Sequence, residues 1–395
     1  MIRACVLAGL AGLVALPAVA LAEPDIRETP AFDAPPVREA PRAEVLGVAE
    51  ISVTHLVVAV EIGGVAHKLE GLIAAPREAA PGDGRPGIVI SHGNPRDPSG
   101  QRSVRLYRYG WLAAEFARRG YVALAVARRG FGASTGEYDE WYGTCSGANA
   151  EGYRRGGLRG AEDLAAALQS LAADPRVDPT RLLAMGQSGG GFASLALAAD
   201  PPPGLVGVIN FSGGRGSDAD YSNCNAEGLT GAFASFGTEA AAPSLWLYST
   251  EDRFFWPTLV NRHFDAFQGP ARLVMLGPIR HAEDGHRLFQ RGNTGMWRGP
   301  IDRFLARLGL PHWAPSPPPP SDLALAPPPG LDRRGKAAWR EFLGSERHRA
   351  FLTGPGGAWG WGSGYPSLEA AIAAGRRVCE ARGQPCQIIR QDGWN

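Results

Sequence analysis

The sequence has almost no excess of charge of either sign. Its 395 residues carry a formal net charge of +1, and charged side chains make up 20% of them. That balance removes the electrostatic case for nucleic acid, which calls for a basic face or stripe. Long apolar runs are also scarce. Residues 6–19 form one at the very start, short for a bilayer crossing. Arg3 precedes it, and Ala20-Leu21-Ala22 follows with small–x–small spacing. Together these read as a secretory signal, residues 1–22, cleaved before Glu23. No membrane span is expected once it is removed, and the mature protein is expected to be periplasmic or secreted. Cysteine is sparse too, five in all, and Cys5 lies inside the signal. The other four, Cys145, Cys224, Cys379 and Cys386, suggest two disulfides in an exported chain. Four cysteines allow three pairings. Cys379 and Cys386 are close in sequence and lie in one module, so they form the natural pair, which leaves Cys145 with Cys224. No histidine cluster accompanies them at ligand spacing, so neither a metal nor another cofactor is expected.

Glycine and proline are plentiful, and they divide the chain. Residues 23–45 are rich in Pro, Ala, Glu and Arg and read as a mobile leader. Two strand-like runs follow at 50–61 and 65–75, a hairpin across Gly63-Gly64. Strands are then expected at 87–91, 121–127, 182–185, 205–211, 244–249 and 271–276. Helices are expected at 102–119, 158–173, 190–199, 261–267 and 295–308. Strands alternating with helices predict an α/β fold with a mostly parallel central sheet and helices on both faces, filling residues 46–310. Residues 311–330 are a proline-rich linker. Residues 331–395 form a small module of their own, stapled by one disulfide, with a helix over 368–382 and a strand over 387–390. It shows no catalytic set; docking to an unknown partner is open to it.

In such sheets reactive groups gather beyond the carboxyl ends of the strands. Gly186-Gln187-Ser188-Gly189-Gly190 lies at one such end, between a short apolar strand and an Ala/Leu-rich helix. A serine on so tight a turn stands proud of the sheet, its flanking glycines permit the fold, and the helix amides face the reacting atom. With 53 glycines, a chance Gly-x-Ser-x-Gly is expected, and Gly132-Ala133-Ser134-Thr135-Gly136 is a second match. No helical run follows Ser134, so it reads as a loop serine and Ser188 as the nucleophile.

A serine hydroxyl needs a base to take its proton and an acid to orient that base. His286 follows Gly285 and leads toward the last helix of the sheet domain; it is the favoured base over His281 in the same loop. His263 falls inside a predicted helix. Asp252, a few residues past the strand at 244–249, is the favoured acid, with Glu251 as the second choice. The amide of Gly189 and that of Asn94, in the loop His92-Gly93-Asn94, are the expected oxyanion donors. The Asn94 side chain could add another donor, and His92 is expected to brace the loop. Residues 212–243 are expected to roof the site, with Trp141, Tyr142 and Phe233 or Phe236 lining a pocket. No basic cluster is evident at the mouth.

Residues 50–310 resemble the α/β-hydrolase superfamily, especially its dienelactone-hydrolase-like and esterase branch. The matching pieces are Ser91-His92-Gly93-Asn94, the run Arg129–Gly136, Gly186-Gln187-Ser188-Gly189-Gly190, Asp252 and Gly285-His286. The resemblance implies that fold and a Ser-His-Asp triad. Dienelactone hydrolases proper usually carry cysteine where this chain has Ser188. Haloalkane dehalogenases share a His-Gly-Asn-Pro loop but need aspartate there. Prolyl-oligopeptidase-type enzymes share the core but carry a propeller that the residues before Gly87 cannot build. The module after Gly335 resembles small cysteine-containing domains of bacterial exported proteins, which implies no activity.

The expected function is hydrolysis of a small-molecule carboxylic ester through an acyl-enzyme. The same triad could cleave peptides or amides. A non-catalytic envelope protein built on this scaffold is the third reading.

Overall fold

The computed structural model describes residues 24–32, 42–279, 284–314, 321–345, 347–382 and 384–392. The signal and His281 lie outside them. In chain order the elements are strand β1 (Asp25–Glu28), the long hairpin β2 (Ile51–Ile62) and β3 (Val65–Pro76), and β4 (Arg85–Ser91). Then come α1 (Gly110–Ala117), β5 (Val122–Val126), α2 (Ala150–Ala172), β6 (Val177–Gln187), α3 (Gly189–Ala199) and β7 (Leu205–Phe211). The first sheet is completed by α4 (Ala226–Glu239), β8 (Ser244–Ser249), α5 (Pro257–Phe267), β9 (Ala271–Leu276) and α6 (Thr294–Arg307). A second unit follows: α7 (Arg333–Leu343), β10 (Arg349–Gly354), β11 (Ala358–Gly362), α8 (Leu368–Cys379) and β12 (Gln387–Asp392).

The nine-stranded sheet runs β1-β9-β8-β7-β6-β4-β5-β3-β2. The pairs from β9 to β5 are parallel, and β1 and the hairpin add antiparallel edges. Strand side chains alternate between faces with period two, so each apolar strand feeds two cores. Ile88 and Ile90 of β4 and Leu183 and Met185 of β6 face the layer of α1 and α6. Val89, Ala184, Trp246 and Tyr248 face the layer of α2, α3, α4 and α5. Burial on both faces explains why these strands read as unbroken apolar runs.

Three expectations need correction. The leader is ordered in part: β1 pairs with β9, Phe32 is buried, and the Thr29 hydroxyl donates to the Gly269 carbonyl at 2.6 Å. Asp-Ile-Arg-Glu has no apolar period, so only the partner strand reveals it as an edge. The helix expected over 102–119 begins at Gly110. Two 3₁₀ turns precede it, because Val104 and Arg105 are extended and break the run. The linker is anchored at both ends: Trp313 is buried against Arg119, and Asp322 takes ion pairs from Arg291 and Arg349.

The second unit is a three-stranded antiparallel sheet, β11-β10-β12. Trp339, Phe342 and Phe351 pack on one side of it, while Leu352, Cys379 and Cys386 lie on the other. The Cys379–Cys386 disulfide is present, as is Cys145–Cys224. Polar contacts dock this unit. Buried Arg291 donates to the Leu343 carbonyl at 2.8 Å, Gly292 donates to Gly344 at 3.0 Å, and Arg105 donates to the Tyr365 hydroxyl at 2.6 Å. Arg291→Ala should therefore destabilise the docking by about 1–3 kcal/mol, since it removes a buried donor from the Leu343 carbonyl and leaves Asp322 with Arg349 alone. A lower thermal midpoint is the expected readout.

Candidate active site

Ser188 sits between the last residue of β6 and the first of α3, with φ 54° and ψ −122°. A side chain rarely occupies this region, and such strain persists only where the surroundings over-determine it. Here they do. The Ser188 amide donates to the Phe211 carbonyl, and its carbonyl accepts from the amides of Phe192 and Gly214. A Cβ at Gly186 would lie 2.1 Å from the Gly190 carbonyl carbon, and one at Gly190 would lie 2.5 Å from the His92 carbonyl oxygen. The backbone crosses itself so closely that both positions require glycine. The first amides of α3, including that of Gly189, have no partner within the helix and carry its positive end.

The end of β8 supplies Asp252, fully buried. Its Oδ1 accepts from the amides of Phe254 and Phe255 at 2.8 and 3.0 Å. His286 lies in a 3₁₀ turn whose cap, Asp284, accepts from the His286 amide. His286 Nδ1 is 3.2 Å from Asp252 Oδ1 and 3.1 Å from Oδ2. With an ionised carboxylate there, Nδ1 carries the proton and Nε2 is left to accept one. The Phe254 ring stacks on the imidazole at 4.0 Å, fixing its plane. A Cβ at Gly285 would meet the Asp252 amide at 2.5 Å, so the two loops are pressed together. Glu251 is exposed, and its side chain takes no part in this pair. Ser188 and His286 line one cavity of about 530 Å³. Among the described residues the Ser188 hydroxyl has no hydrogen bond.

The loop after β4 braces the other side. His92 is buried; its Nε2 accepts from the Arg128 amide at 3.1 Å, and its Nδ1 is 2.8 Å from the Gly93 carbonyl. Burial, aided by the Arg128 charge, pushes its pKa down to about 3, so it stays neutral. The Asn94 amide makes no hydrogen bond among the described residues. The Asn94 side chain does not serve as a spare donor: its amide nitrogen donates to Glu140 at 3.2 Å, and its oxygen accepts from Arg128 at 2.7 Å. That oxygen lies against Gly189, where a Cβ would be 2.1 Å away.

Arg128, Glu140 and Arg215, which sequence reasoning missed, make a buried charge cluster behind this loop. Glu140 accepts from both arginines, and Arg128 also donates to Ser91 and to the His92 carbonyl at 2.7 Å. Burial raises the Glu140 carboxyl, but Arg128 and Arg215 outweigh it and hold it well below the usual range. Arg128 directly follows the β5 apolar run; the contact to Glu140 has no spacing that would announce it.

Trp141 and Tyr142 line a second, smaller cavity of about 70 Å³ that also reaches Ser188. Phe233 and Phe236 do not line either cavity. Both are fully buried, packed on Phe192 beneath α3, with Phe233 also stacked on His263. The apolar face of α4 serves the core, and residues 214–217 supply the wall instead. The Cys145–Cys224 bridge ties the loops bearing Tyr142 and Arg215. Its sulfurs lie near Asp218, the one group among the described residues with ligand-like spacing, but disulfide sulfurs offer no thiolate. The mouth is more basic than expected: Arg96, Arg108 and Arg287 line the larger cavity. Ser134 is a loop serine, donating to the Ala127 carbonyl and accepting from the Glu70 amide.

Residues 107–204 match the prolyl oligopeptidase family. With the strand order, the serine turn after β6 and the acid and histidine after β8 and β9, this decides the fold. The chain has the α/β-hydrolase fold. Among solved structures, it is similar to an esterase of Pyrococcus furiosus at 16% identity, over 68% of this chain and 99% of that one, TM-score 0.47. A dienelactone hydrolase-like promiscuous phosphotriesterase from metagenomic libraries shares 19% identity over 57% and 82%, TM-score 0.39. Dipeptidyl peptidase 4 of Porphyromonas gingivalis shares 16% over 60% and 34%, TM-score 0.43. A sequence search of curated proteins finds no match.

Burial also lowers the pKa of His263 to about 3. A folded-state pKa below the unfolded value of 6.5 means that stability is lost as pH falls from 6.5 toward 3. His263→Gln should flatten that fall, read as the change in urea midpoint between pH 7 and pH 4. An unchanged slope would show that this histidine titrates normally.

Proposed function

We propose that this protein is an exported serine hydrolase that cleaves carboxylic esters with short acyl groups. The observation that carries the reading is the Asp252–His286 pair, buried and oriented, on the wall of the cavity that Ser188 also lines. Once substrate is seated, His286 Nε2 takes the Ser188 proton and Oγ attacks the acyl carbon. The amides of Gly189 and Asn94 receive the oxyanion, a contribution of about 3 kcal/mol per donor at such sites. His286 then returns the proton to the leaving alcohol, and water releases the acid by the same route. The smaller cavity beside Trp141 and Tyr142 takes the acyl group. At about 70 Å³ against about 530 Å³ for the larger cavity, it suits the smaller portion of the ester.

Residues 46–310 would be the catalytic domain, 311–330 the connection and 331–395 the appended module. The signal pattern at 1–22 and the two disulfides support export to an oxidising compartment. The family match over 107–204 favours one second reading, cleavage of a peptide bond by the same groups.

Ser188→Ala should abolish turnover of nitrophenyl acetate while leaving the thermal midpoint in place. Asp252→Asn should lower kcat about a thousandfold or more. The wild type should prefer nitrophenyl esters to peptide anilides. Preference for the anilides would install the peptidase reading, and full turnover by Ser188→Ala would end both.

A further inference from the structure

The larger cavity is not built by the hydrolase core alone. Glu341, Ser345, Trp361 and Ser363 of the C-terminal unit form one wall, facing Tyr109, Phe289 and the Ser188–His286 corner. Arg108 stands on the seam. A Cβ at Gly364 would meet the Arg108 side chain at 2.5 Å, so the C-terminal unit lies directly against it. The other cavity arginines are engaged: Arg96 pairs with Asp220 and stacks on Phe254, and Arg287 pairs with Glu341. Among the described residues the Arg108 guanidinium has neither a hydrogen bond nor an ion pair. Arg108 is exposed at this seam, so its guanidinium is open to a ligand; partial desolvation, with Arg105 and Arg287 nearby, lowers its pKa. A guanidinium offers a planar fork that matches a carboxylate.

Orientation follows from the chemistry of the proposed ester cleavage, on which this inference rests. His286 must protonate the leaving oxygen, and His286 lines the larger cavity and not the smaller one. The alcohol portion of the ester therefore lies in the larger cavity. At about 530 Å³ it accommodates a ring-sized group among Tyr109, Phe289 and Trp361. We propose that the C-terminal unit is part of the substrate site, and that with Arg108 it selects short-acyl esters whose alcohol portion carries a flat ring and a carboxylate.

The test compares 3-acetoxybenzoate with 3-acetoxybenzamide, which share shape and differ in charge, on the full-length protein. The wild type should favour the carboxylate by about tenfold in kcat/KM, the value of one charge-assisted hydrogen bond. Arg108→Gln should bring that ratio to about one, and Arg108→Lys should keep part of it. Trp361→Ala should raise KM for both esters with little change in kcat. Equal rates on the two esters in the wild type, or a ratio untouched in Arg108→Gln, would overturn the carboxylate seat. A KM indifferent to Trp361 would overturn the part given to the C-terminal unit. Phenyl acetate is the control: if it is hydrolysed while the ratio is one, only this inference fails, and if it is not, the esterase reading fails with it.

Discussion

One backbone constraint organises this molecule: the reversal at Ser188, where β6 turns into α3 within a single residue. The φ of 54° is costly for a side chain and is held by hydrogen bonds to Phe192 in α3, to Phe211 at the end of β7 and to Gly214 just past it. It works only because Gly186 and Gly190 let strand, helix and the His92 loop approach to contact. The same close packing stations Asn94 against Gly189. The position of Ser188 and that of the Asn94 loop beside Gly189 are thus two consequences of one turn. The charge cluster of Arg128, Glu140 and Arg215 stiffens the loop on the far side, at a place where apolar packing would leave its carbonyls unmet.

Much of the sheet was legible because burial on both faces leaves simple apolar runs. The strands 205–211, 244–249 and 271–276 come out with their expected ends. The placement of Ser188, Asp252 and His286 beyond the strand ends was legible because each follows an element whose end is marked by glycine or by a polar break. Asp252 over Glu251 was less secure from sequence; the neighbouring Phe254 and Phe255 amides single out its carboxylate. What was hidden depends on contacts across the chain. The edge strand Asp25–Glu28 has no pattern apart from β9. Phe233 and Phe236 look like pocket aromatics in sequence, yet α4 turns that face to Phe192. The basic cavity wall was missed because Arg96, Arg108 and Arg287 come from separate loops.

The C-terminal unit changes how the hydrolase core should be viewed. Its inner packing is a small aromatic cluster around Trp339, Phe342 and Phe351, but its attachment is polar and ionic. Such attachments are geometrically exacting and contribute less than an apolar seam of the same area. They place Trp361 and Glu341 on the wall of the cavity that Ser188 and His286 also line.

The central claim is that one hydroxyl is activated by the Asp252–His286 pair. Intact-mass and peptide mapping after treatment with a fluorophosphonate tests it most directly. The account predicts one adduct, on the peptide containing Ser188, and a sharply slower reaction in His286→Ala. No adduct, an adduct on another serine, or labelling of Ser188 at an unchanged rate without His286 would contradict it.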